Sequence, residues 1–153
     1  GMLLAQLLPG LFQAGTHLEY TEVVFIPVPP SRSKDTDLYD DRILKVLEHA
    51  NSFMGKQLSI RDCFIQRKSY EPSHISSQRI SVSELEELYS LDPTIDLSMF
   101  HYAILFDDVL TKGTHFRAAK NTILKHFPDI NIWGLYIART VSSAERFGFK
   151  IEE

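Results

Sequence analysis

Short apolar runs alternate with helical stripes along the whole chain. V-V-F-I-P-V-P-P, residues 23 to 30, is β-branched and apolar until prolines interrupt it, which predicts a buried strand ending in a constrained turn. S-R-S-K-D-T-D-L-Y-D-D follows, polar and without apolar periodicity, and predicts a loop. From Asp41 onward Ile43, Leu44, Leu47, Ala50 and Met54 recur at helical spacing, with Gly55 placed to close the helix. L-S-I-R-D-C-F-I, residues 58 to 65, predicts a second, shorter strand. The stretch from Gln66 to Arg79, which includes His74, is polar and turn-rich, with no hydrophobic face to hold it down, and predicts a mobile loop.

Ser83 followed by Glu86 fits a capping box for a helix carrying Leu85 and Leu88. H-Y-A-I-L-F, residues 101 to 106, predicts a buried strand. A stripe of Phe116, Ala119, Ile123 and Phe127 predicts a helix starting near His115 or Phe116 and stopped by Pro128. I-N-I-W-G-L-Y-I-A, residues 130 to 138, predicts another strand, and F-G-F-K-I near the end a short final one. Phe116, Ile123, Trp133 and Tyr136 are assigned to the core. Strands alternating with helices place the chain in the α/β class, with a mostly parallel central sheet flanked by helices on both faces.

Composition narrows the setting. With 153 residues, 44% of them hydrophobic and 24% charged, the chain reads as one soluble globular domain. A single cysteine, Cys63, provides neither a disulfide framework nor a cysteine-built zinc site, and a reducing cytoplasm is the simplest expectation. The histidines are scattered without metal-ligand spacing, so no protein-held metal is expected. At a net charge of −4 nothing argues for a nucleic-acid footprint spread over the whole surface, and local basic clusters stay open. The opening G-M-L-L-A-Q-L-L-P-G-L-F is broken by Pro9 and Gly10 and is too short to span a bilayer; residues 1–22 read as an arm or partial hood ahead of a 23–140 core.

The chemistry concentrates in I-L-F-D-D-V-L-T-K-G-T-H-F, residues 104 to 116. Ligands of open α/β sheets bind beyond the carboxyl ends of the strands, where Asp107 and Asp108 are expected. Thr111, Lys112, Gly113, Thr114 and His115 then lead into a helix, whose N-terminal N–H groups suit a phosphate. Gly113 permits a tight turn, the threonine hydroxyls add donors, and Lys112 adds a charge. A pair of carboxylates can accept hydrogen bonds from a vicinal diol. Together these parts describe a receptor for a sugar 5-phosphate. No P-loop and no G-x-G-x-x-G is present, and the adjacent acids lack the Asp-x-Asp spacing of haloacid dehalogenase-type phosphatases.

F-D-D-V-L-T-K-G-T-H resembles the phosphoribosyl-diphosphate (PRPP) motif of type I phosphoribosyltransferases, and G-L-Y-I-A-R-T and I-P-V-P-P-S-R are similar to segments of the ComF-like branch. The resemblance implies that Asp107 and Asp108 hold the ribose hydroxyls and that Thr111 to His115 hold the 5-phosphate. It implies that Pro29, Pro30, Ser31 and Arg32 meet the pyrophosphate. F-I-Q-R-K-S-Y-E-P-S-H is similar to the family's flexible catalytic loop, which gives Arg67 and Lys68 a catalytic role. The activity implied is transfer of phosphoribosyl from PRPP to a nitrogen acceptor, with Mg²⁺ carried on the PRPP. The expected partner is a small molecule, PRPP or a nucleoside monophosphate, with no membrane or nucleic acid; family members are often homodimers. The chain departs from the ComF pattern in T-K-G-T-H, where T-T-G-A-T is usual, and in Y-D-D-R after the proline segment. A second reading stays open: a PRPP- or nucleotide-sensing module of the same fold that binds without turnover.

Overall fold

A computed structural model describes residues 20–55, 58–69 and 80–140. Residues 1–19 of the N-terminal arm, the Tyr70–Arg79 part of the expected loop, with His74 in it, and the expected final strand lie outside these residues.

Four parallel strands form the central sheet in the order β2-β1-β5-β6. β1 is Val23–Pro27, β2 Ser59–Ile60, β5 Tyr102–Leu110 and β6 Asn131–Arg139. All five residues of β1 are buried, as an interior strand of a parallel sheet requires. Successive side chains leave β1 on opposite faces. Val23 and Phe25 pack with Ile104 and Phe106 against Ile43, Leu47 and Ala50 of helix α1 (Arg42–Met54). Val24 and Ile26 pack on the other face with Ala103, Leu105 and two helices, α2 (Val82–Leu88) and α3 (Thr114–Leu124). Helices therefore cover both faces, as the alternation of elements predicts. Gly55 ends α1 with φ 58°, in the left-handed conformation that its position implied.

Several elements differ from expectation. The 58–65 run is two strands in two sheets. β2 pairs with β1, whereas β3 (Phe64–Gln66) pairs antiparallel with β4 (Tyr89–Leu91), a strand that the pattern did not suggest. Phe64, Cys63 and Tyr89 all enter the core beneath α2 and α3, so burial of these side chains draws the chain away from the central sheet. The capping box is Ser81 with Glu84, two residues early: Ser81 Oγ accepts from Glu84 N at 3.2 Å, and Glu84 Oε2 accepts from Ser81 N at 2.8 Å. Glu86 instead binds across to α3, accepting from Asn121 Nδ2 at 2.6 Å and Lys125 Nζ at 2.7 Å.

α3 begins at Thr114, a residue before the expected start, and stops at Leu124, leaving Phe127 past its end. β6 holds Trp133 at 46% exposure, not in the core, although Leu135 of the same strand packs against the α1 cluster; the indole lies 5.4 Å from the Tyr102 ring, tilted by 52°. Cys63 is buried, 1% exposed, and its carbonyl accepts from Asp92 N at 2.8 Å. Among the described residues no helix is long and apolar enough to cross a membrane.

Candidate functional site

The carboxyl ends of the four parallel strands define one edge of the sheet, and the candidate residues gather there. Relative to β1, the acids do lie past the strand end: Pro27 pairs with Phe106, and Val28 N donates to Phe106 O at 2.9 Å. On the other side β6 continues alongside, pairing Asp107 with Tyr136 and Leu110 with Arg139. The backbone ladder therefore carries β5 through both acids, beyond the end expected after Phe106. Strand geometry then sends the two side chains to opposite faces.

Asp108 Oδ2 pairs with Arg42 Nη2 at 2.8 Å, on the α1 side. Asp107 lies on the α3 side, where its Oδ1 accepts from Asp108 N at 2.8 Å. Burial raises the Asp107 pKa to about 6; the Asp108 N–H works against the rise, and the neighbouring Asp108 charge adds to it. Tyr136 is pushed up to about 12, mainly by burial and then by the Asp107 charge. Its hydroxyl is buried and has no hydrogen-bond partner among the described residues.

Beyond Leu110 the chain turns through Thr111, Lys112 and Gly113. Gly113 takes φ 70° at the N-cap of α3, and its carbonyl accepts the first helical bond from Arg117 N at 2.9 Å. A Cβ here would meet nothing closer than Leu110 Cδ1 at 3.8 Å, so conformation and not space calls for glycine. Glycine offers no side chain to cap the helix, and no acid occupies its first turn. The backbone N–H groups at this end suit an anion. The His115 ring is held within the fold: Nδ1 lies 3.2 Å from the Tyr89 hydroxyl, and burial lowers its pKa, favouring the neutral imidazole. What His115 can offer an anion at the turn is its backbone N–H. A cavity of about 560 Å³ adjoins Thr111, Lys112 and Gly113.

Two further segments meet each other. Ser33 N donates to Ser69 Oγ at 3.0 Å, and the two hydroxyls lie 2.9 Å apart. Gln66 Nε2 donates to Ser31 O at 3.1 Å and to Lys68 O at 2.9 Å. These bonds bring the Pro29–Arg32 segment together with Arg67 and Lys68. Arg67 and Lys68 are exposed, and no hydrogen bond or ion pair among the described residues joins them to the acids.

Gln66, Ser33 and Arg42 were not legible as site residues. Gln66 read as the first residue of a polar loop, yet it is 8% exposed, and only the β3–β4 pairing shows why it points inward. Arg42 belonged to the divergent Y-D-D-R stretch, and nothing local marked its reach to Asp108. Among the described residues no three His, Cys, Asp or Glu gather as a metal site.

No model of a known protein family matches the chain, and no curated protein matches it.

Proposed function

We propose that the chain is a phosphoribosyltransferase-like protein that binds PRPP at the carboxyl edge of its parallel sheet. The observation that carries this reading is the order of parts there: two acids in the last residues of β5, past the end of β1, a turn with Gly113 at φ 70°, and then the open N-terminus of α3. A sugar phosphate needs hydroxyl acceptors at one end and N–H donors at the other, separated by a short turn. The resemblance of F-D-D-V-L-T-K-G-T-H to the PRPP motif supports the same assignment.

In this reading Asp107 and Asp108 accept from the ribose hydroxyls, Asp108 exchanging its Arg42 pair for the ligand. The 111–115 turn holds the 5-phosphate. The C1–oxygen bond to diphosphate breaks as a nitrogen acceptor bonds to C1, and the acceptor proton passes to solvent or to the leaving diphosphate. Arg32, Arg67 and Lys68, on segments tied through Gln66 and Ser69, offset the charge of the departing group. Because the acids diverge to opposite faces, they form no chelating pair; an Mg²⁺ carried with PRPP keeps ligand oxygens as most of its shell. When bound, that ion would neutralise diphosphate charge.

The Arg42–Asp108 pair favours one alternative, a sensing module that binds PRPP or a nucleotide without turnover, because the ribose acid is already engaged by the divergent segment. Calorimetric titration of PRPP, with and without Mg²⁺, into the wild-type chain and Asp107→Asn/Asp108→Asn tests the shared premise. Mg²⁺-dependent binding that is lost in the double variant supports it, and absence of binding by PRPP, ribose 5-phosphate and nucleoside monophosphates refutes it. Pyrophosphate release with candidate amines then separates enzyme from sensor.

A further inference from the structure

The cavity beside the turn has a charge pattern that a single 5-phosphate does not account for. At about 560 Å³ it falls in the size range of small-molecule sites. Lys112 of the turn, Arg117 and Lys120 of α3, and Arg139 at the end of β6 all line it. Helical spacing brings Arg117 and Lys120 to one side, since positions 113, 117, 120 and 121 form a continuous stripe, and Lys112 joins them from the turn just ahead of Gly113. Strand register brings the fourth, because Arg139 pairs with Leu110, the residue before the turn. Among the described residues no acid lines the cavity, although the chain has 20 Asp and Glu against 16 Lys and Arg.

Lys34, Arg42, Lys45 and Lys125 each have a carboxylate partner, whereas no ion pair among the described residues engages Lys112, Arg117 or Lys120. Like charges around one cavity repel, and an anion offsets that repulsion. Val82, Leu110 and Phe116 add apolar lining, which strengthens ion pairing by limiting water. Neither Asp107 nor Asp108 is part of the wall, so the cavity meets the proposed PRPP site only at Thr111, Lys112 and Gly113.

We propose that this cavity is a second anion site, taking the phosphates of a nucleoside 5′-polyphosphate beyond the one that the turn holds. It depends on the proposed function only for that inner phosphate. A nucleic-acid strand would call for a basic groove that tracks a backbone, whereas here the charge is gathered around one cavity of a chain whose net charge is −4.

The test is calorimetric titration of sodium tripolyphosphate into the full chain and two variants: Arg117→Gln/Lys120→Gln, and Lys45→Gln/Lys125→Gln as a charge control. Circular dichroism checks that each is folded. The wild-type chain should bind, and the cavity variant should bind at least about tenfold more weakly, as loss of two charge-assisted contacts implies. The charge control should stay within about twofold of wild type. No binding by the wild-type chain overturns the proposal, and so does equal weakening in the charge control. Tighter binding of a single-stranded DNA 12-mer through Arg117 and Lys120 would overturn it in favour of nucleic acid. Failure of the proposed function would look different: PRPP binding indifferent to Asp107 and Asp108.

Discussion

Asp107 is where the needs of the fold and of the site conflict. A half-buried carboxylate is costly to ionise, and its pKa rises to about 6 from 3.8. A raised folded-state pKa contributes stability below the unfolded value, and that contribution is lost as pH rises through about 6. Above pH 6 the ionised group is therefore a burden. Asp107→Asn keeps an oxygen to accept from Asp108 N while removing the charge, so it should raise Tm by about 2–4 °C at pH 8. The gain should disappear at pH 4, and thermal melts at the two pH values check it. Ligand binding should show the opposite preference. Ribose hydroxyls donate best to the ionised acid, so PRPP affinity should fall as pH drops below about 6, whereas a flat profile from pH 5 to 8 would remove Asp107 from the diol site.

At the scale of elements, two glycines test the local geometry. Gly113→Ala forces a side chain into the left-handed region and should cost about 1–2 kcal/mol, measured by urea unfolding, and should weaken phosphate binding at the α3 terminus. Gly134 is constrained by space instead: a Cβ there would lie 2.8 Å from Tyr136 Cε2 and 3.1 Å from Phe116 Cε2. Gly134→Ala should move the Tyr136 ring and, with it, shift the titration of Asp107, followed by carboxyl NMR.

α1, β1 and α3 were legible because each carries a complete local signal: a buried β-branched run stopped by proline, or a stripe with a glycine or proline at its end. The 58–66 region was not legible, since its path is decided by where Cys63 and Phe64 are buried and by a pairing with Tyr89–Leu91 that is distant in sequence. The acids and the turn were legible as chemistry, but β6 determines that β5 continues through them and separates their side chains.

For the molecule as a whole, the parallel sheet among the described residues ends in β6, whose Trp133 and Ile137 are 46% and 55% exposed. Charge on such an edge discourages strand pairing between copies. Ile137→Lys should therefore leave Tm within about 1 °C, since the side chain is mostly in water, while reducing self-association in light scattering. Cys63 sits at the opposite extreme. It is the only cysteine in the chain, and burial pushes its thiol up to about 12, so the native protein presents almost no thiolate to an alkylating reagent. Modification must wait for the chain segment between β2 and β3 to open. The rate of thiol alkylation, divided by that of an unstructured cysteine peptide, would then report the open fraction directly when reclosing outpaces labelling. The fold thus contains its own stopwatch for core breathing, which a bound ligand would slow in proportion to its grip on the closed form.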